Sequence, residues 1–170
     1  PLSFVGIAGM LFVALAVVYW IIAMTGNLPE RPRKVFSSVV GVASLLLALS
    51  MGVMYMGSAV LTWNSALVPL GIMGFAVAGG VPLGALVIGL GGGLPEARAS
   101  RFPAVALIVA LVGTIVSIFA VSAQLLFAQS AFSAYVAGGE VLPGSWVYLI
   151  ISIAGFVAML ATLRSTLMPG

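Results

Sequence analysis

Cysteine and histidine are both absent from this 170-residue chain, and its acidic residues number three: Glu30, Glu96 and Glu140. Without a thiolate or an imidazole, these residues offer no ligand set for an iron–sulfur cluster, a His-ligated haem or the usual zinc sites, and no thiol catalysis. All three acids fall in predicted loops, so no catalytic carboxylate pair is available inside an apolar segment. Charge of either sign is scarce. Charged residues make up 5% of the chain, against roughly a quarter in a soluble domain. With 63% hydrophobic residues and a mean hydropathy of +1.33, the chain has the bilayer as its solvent. A net charge of +3 from six cations is too thin for a nucleic-acid-binding face and reports membrane orientation instead.

What the chain does have is long apolar runs separated by short polar breaks. We expect an all-α, polytopic transmembrane helix bundle with five spans, at about 2–24, 35–61, 68–90, 103–128 and 145–163, forming a single transmembrane domain over 1–170. Each run exceeds the roughly 20 helical residues that cross about 30 Å of hydrocarbon. Barrel strands would alternate lumen-facing and lipid-facing residues, which these runs do not. The lipid bilayer is thus the first partner, and no nucleic acid is expected.

The cations sort by position. Arg31, Arg33 and Lys34 follow the first run, Arg98 and Arg101 the third, and Arg164 the fifth, while the second and fourth breaks carry no Lys or Arg. Alternation of this kind places the basic loops in the cytoplasm of a bacterial or archaeal inner membrane. The first span then runs from outside to inside. A chain starting at Pro1, outside and without a signal-like leader, is expected to be part of a longer protein; a short tail that crosses unaided is the other reading. Trp63, Trp146 and Tyr148 fall near the outer boundary and Tyr19 and Trp20 near the inner one, as anchoring belts do.

Several polar and glycine positions are candidates for function. No Asp, Glu, Lys, Arg or His is predicted within a span core, which argues against ion-coupled transport. The third run holds Gly71, Gly74, Gly79, Gly80, Pro82, Gly84 and Gly89. Pro82 should kink it, and Gly80 with Gly84 makes a GxxxG spacing for close helix approach. A broken helix lining a ligand cavity is the functional alternative to plain packing. In the fourth run Ser117 and Gln124 share a face, with Thr114 at its edge; interhelical hydrogen bonding is expected there. Tyr55 lies among Met51, Met54 and Met56, about two turns before Trp63 and Asn64. With Gln124 and Gln129, these groups could surround an amphipathic ligand such as a quinone at the outer interface. A small-Ile-x-Gly-apolar pattern recurs at Gly6–Met10, Gly71–Phe75 and Ser152–Phe156, a weak internal echo.

Tyr55, Thr62-Trp63-Asn64-Ser65, Pro69-Leu70-Gly71-Ile72-Met73-Gly74-Phe75 and Gly79-Gly80-Val81-Pro82-Leu83-Gly84, with the basic, Pro-containing Leu28–Lys34 stretch, resemble the membrane anchor subunit of dimethyl sulfoxide reductases, within the wider quinol-oxidising anchors of molybdenum enzymes. The resemblance implies an eight-span family whose third to seventh spans are those seen here. It implies menaquinol binding near the outer face, with Tyr55, Trp63 and Asn64 as wall residues that join Gln124 as cofactor-binding candidates, and no haem or metal in this chain. It also implies an iron–sulfur electron-transfer subunit and a molybdopterin catalytic subunit as partners. The chain would then be a non-catalytic or quinol-oxidising subunit of an oxidoreductase. The contrasting readings are a small-solute transporter or permease fragment and a structural membrane protein without a ligand.

Overall fold

Within a bilayer every backbone N–H and C=O must find its partner inside the protein, and a helix supplies one residue by residue. The computed structural model describes residues 2–25, 29–57, 64–132 and 144–168, and nearly all of them are helical. The helices are α1 (Leu2–Thr25), α2 (Glu30–Met56), α3 (Leu67–Leu90), α4 (Leu94–Ala99), α5 (Phe102–Phe132) and α6 (Ser145–Leu167). Among the described residues there is no strand. All but the six-residue α4 are long and apolar enough to cross a membrane. The all-α, five-span reading therefore holds.

Helix ends differ from the hydropathy estimate, for identifiable reasons. α2 starts at Glu30 rather than near Val35, so its first turn absorbs charges expected in a loop. Arg33 N donates to Pro29 O at 3.2 Å, and Lys34 pairs with Glu30 one turn apart at 2.6 Å. Pro32 is harmless there because first-turn amides have no intrahelical acceptor. α2 ends at Met56, and residues 58–61 of the expected second span lie outside the described residues. The stretch expected as a loop over Gly91–Arg98 is a loop only at Gly91–Gly93. Gly93 N donates to Ile88 O at 3.0 Å and Gly92 N to Gly89 O at 3.1 Å, the paired bonds of a Schellman stop. Gly92 sits at φ 76°, in the left-handed region that stop requires. Chain direction then changes, and Pro95 opens α4.

The chain divides into two compact units, Pro1–Pro69 and Leu70–Gly170. In the first, α1 and α2 form an antiparallel hairpin. The Tyr19 and Phe36 rings stack at 5.8 Å near one end, and Leu47 lies over Gly9 farther along. The start of α3 returns to this hairpin, where Gly52 faces Pro69 so closely that a Cβ on Gly52 would lie 2.6 Å from the proline Cβ.

In the second unit, α3 and α5 run antiparallel along a seam of small residues. Gly71 faces Ala120, Gly74 faces Ser117, and Gly113 faces Ala78. A Cβ on Gly113 would stand 2.7 Å from Ala78 N, and one on Gly74 would stand 2.8 Å from Ser117 N. Two backbones are thus in contact. Farther along, Ala85, Ala106 and Ala110 are buried with Leu163 and Leu167 of α6. Leu160 packs on that cluster, and Phe156 stacks on Phe75 at 5.7 Å. The α6 contacts at 156, 160, 163 and 167 follow the 4-3-4 spacing of one helix face.

Gly80 and Gly84, whose spacing had suggested helix approach, have nothing within 4 Å of a Cβ added to either, and both are exposed. The close approach uses Gly74-x-x-x-Ala78 against Gly113-x-x-x-Ser117 instead. Nor is α3 broken: Pro82 lies inside a helix that continues to Leu90. Leu83, Leu86 and Val87 are left exposed beside it, as are many apolar side chains on every long helix. Lipid covers such residues at no cost.

Gly113→Ala should therefore lower the thermal unfolding temperature in detergent by pushing α3 off α5. Gly80→Ala should leave it unchanged or raise it, since an open helical Gly costs about 0.5–1 kcal/mol relative to Ala. Equal damage from both substitutions would contradict the seam described here.

Candidate functional site

Tyr55 lies in the last turn of α2, half-buried, with Met54 and Met56 half-buried beside it and Met51 exposed one turn earlier. Asn64 opens the next described segment and is exposed. Ser65 then starts α3: its Oγ accepts from Leu67 N at 3.2 Å and its carbonyl from Val68 N at 3.1 Å. The Gly52–Pro69 contact joins these pieces. Gly52 is one turn before Tyr55, and Pro69 is in the first turn of α3, just after Asn64. The first unit thereby ties the segment bearing Asn64 to the end of α2 that bears Tyr55. Trp63 lies outside the described residues. Gln124 is half-buried on α5, in the second unit.

Of the polar face expected on α5, Ser117 and Thr114 are buried and Gln124 is half-buried, but Ser117 does not bond across helices as expected. Its hydroxyl donates to Gly113 O of its own helix at 2.8 Å, with no exposed surface. Close approach of Gly74 holds Ser117 in the seam by contact, and the i−4 carbonyl satisfies the hydroxyl. Ser50, also buried, donates to Leu47 O at 2.7 Å in the same local manner. Thr114 is the exception: it is buried, and its Oγ1 has no hydrogen-bond partner among the described residues.

The charged side chains of the described residues sit at helix ends: Glu30, Arg31, Arg33 and Lys34 at the start of α2, Glu96, Arg98 and Arg101 around α4, and Arg164 in the last turn of α6. Among the described residues no cluster of His, Cys, Asp or Glu could hold a metal. Arg98 has a role that its position in the sequence did not suggest. Its Nε and Nη2 donate to Thr166 O at 2.9 and 2.6 Å, closing the C-terminal end of α6. A cation there satisfies a carbonyl left open by the helix and meets the negative end of its dipole. The seam glycine Gly113 was also passed over, although its four-residue spacing to Ser117 carries the same small-x-x-x-small signal as Gly80 and Gly84.

Five membrane-length helices, charged only at their ends among the described residues, define a polytopic helical membrane protein. The DMSO reductase anchor subunit family (DmsC) matches residues 2–164, and the chain belongs to that family. It is accordingly a multi-pass membrane anchor subunit of DMSO reductase, and the family implies association with the catalytic and electron-transfer subunits of that enzyme. No curated protein and no solved structure matches the chain.

Thermal unfolding in detergent checks the two polar assignments. Arg98→Ala should cost about 0.5–1 kcal/mol, the worth of an exposed cation at a helix C-terminus. Thr114→Val should be neutral or stabilising by up to about 1 kcal/mol, because it removes a buried hydroxyl that bonds to nothing. A clear loss of stability in Thr114→Val would show that the hydroxyl is needed.

Proposed function

We propose that this anchor binds menaquinol near the outer face of the cytoplasmic membrane of a bacterium or archaeon. Electrons then pass to an iron–sulfur subunit docked on that face and on to a molybdopterin subunit that reduces the terminal substrate. Family membership supports the anchor role. The single structural observation that supports a site is the Gly52–Pro69 contact, which fixes the segment carrying Asn64 against the end of α2 carrying Tyr55. That end is opposite the basic start of α2, so by the positive-inside rule it faces outward.

The chemistry suits these residues. Quinol oxidation releases two electrons and two protons. The Tyr55 phenol can donate a hydrogen bond to a ring oxygen, and the Asn64 amide can donate or accept one. Half-burial among methionines gives Tyr55 an apolar surround of the kind a ring and its isoprenoid tail enter. With neither Cys nor His in its sequence, this segment supplies no thiolate for an iron–sulfur cluster and no imidazole for a haem, in keeping with an iron–sulfur centre on the partner subunit.

Tyr55→Ala should slow quinol turnover by the assembled complex by about 5- to 150-fold, equivalent to about 1–3 kcal/mol for a quinol oxygen left without its partner, and the exposed Asn64→Ala by less, while co-purification of the other subunits is retained. Unchanged turnover in both would remove them from the site. Orientation can be tested separately, because the sequence contains no Cys of its own. In intact spheroplasts a membrane-impermeant maleimide should label Asn64→Cys and spare Glu96→Cys. The reverse pattern would invert the topology.

A further inference from the structure

The α1–α2 hairpin carries an open groove of about 540 Å³, away from the Tyr55 end of α2. Its walls are apolar, formed by Leu11 and Leu15 of α1 and by Val39, Val42 and Leu46 of α2. Its two polar lining residues, Lys34 and Ser38, lie at one end. We propose that this groove binds one acyl chain of an anionic phospholipid, with the phosphate held at the Lys34 end.

Length argues for an acyl chain over a helix. Along α2 the groove runs from Lys34 to Leu46. At 1.5 Å per residue that is about 18 Å, little more than one leaflet of a hydrocarbon core about 30 Å thick. A transmembrane helix seated on the hairpin would use its full depth. Charge argues for an anionic headgroup. Arg31, Arg33 and Lys34 against Glu30 leave a net charge of +2 in the first turns of α2, at the mouth of the groove. Lys34 is paired with Glu30, but their side chains are 73% and 69% exposed, so the pair is screened by water and readily exchanged for a phosphate. Basic groups beside an apolar cleft at the membrane surface recognise lipid headgroups in this way. A neutral quinol headgroup gains nothing from the same charge, and Tyr55 lies at the opposite end of α2. The proposal is independent of the quinol reading.

The test is lipid retention by the purified full-length chain with its partner subunits. The complex is exchanged into mild detergent with phosphatidylglycerol or phosphatidylcholine, and bound lipid is counted by native mass spectrometry. Phosphatidylglycerol should be retained at least about fivefold over phosphatidylcholine. The double variant Arg33→Gln, Lys34→Gln should reduce that ratio to near one; both side chains are exposed, and unchanged co-purification of the partner subunits checks that the variant still inserts and folds. Val42→Trp, which fills the groove, should cut retention of both lipids. Equal retention of the two lipids by the wild-type complex, or an unchanged ratio in the double variant, would overturn the proposal. So would cross-linking of Val42→Cys to another protein segment in place of lipid, because a helix would then occupy the groove.

Discussion

Where α3 meets α5, Gly74 and Gly113 bring two backbones so close that a single methyl on either would collide with the other helix. In a bilayer this contact carries weight that side-chain burial carries elsewhere. Lipid tails are as apolar as leucine, so helices gain nothing by hiding apolar groups from each other, and van der Waals packing at short range has to hold them. Small residues make that range accessible. The buried positions of the second unit are accordingly glycines, alanines and hydroxyl residues along α3 and α5, with Pro103 at the start of α5 and Leu163 and Leu167 of α6 closing the cluster at its end. The rest of that unit follows from the seam. α6 has a fixed surface to match at four- and three-residue steps, the Gly91–Gly93 stop turns the chain into α4, and Arg98 ties α4 to the end of α6.

The same device recurs at Gly52 in the first unit, and there it bears on function. A residue with any side chain at Gly52 would hold Pro69 away, and with it the segment leading back to Asn64. The contact costs little within α2, because its backbone bonds are already made. What it provides is a defined geometry at the end of the hairpin away from the basic turn. Charge is confined to helix ends, where water and headgroups solvate it, which leaves the interior of the described spans with hydroxyls that bond mostly to their own helices. Such an interior has no buried ionisable relay.

Much of this was legible in the sequence. Apolar run length and the spacing of the cations carry the number of spans and their alternation, because crossing a bilayer is a constraint on length and charge alone. Tyr55 and Asn64 could be singled out because polar groups are rare. The packing partners were less accessible. In a helix that is apolar all round, no contrast between faces marks the one that meets a neighbour, so Gly80 and Gly84 read the same as Gly74 and Ala78. Only the neighbour decides: α5 offers Gly113 opposite Ala78, and no described residue comes within 4 Å of a Cβ placed on Gly84. Helix ends were missed where local bonds outweighed hydropathy, as when the Glu30–Lys34 pair carried α2 into a charged stretch. The recurring small-Ile-x-Gly-apolar pattern proved informative in one respect, since two of its closing residues, Phe75 and Phe156, stack on one another.

The central claim is that this chain works as the membrane anchor of a multi-subunit reductase. The most direct measurement is the metal content of what purifies with it. Full-length tagged protein, extracted in mild detergent from cells respiring DMSO, should bring down two further chains together with iron and molybdenum. Recovery of the chain alone, free of both metals under conditions that keep it folded, would contradict the account.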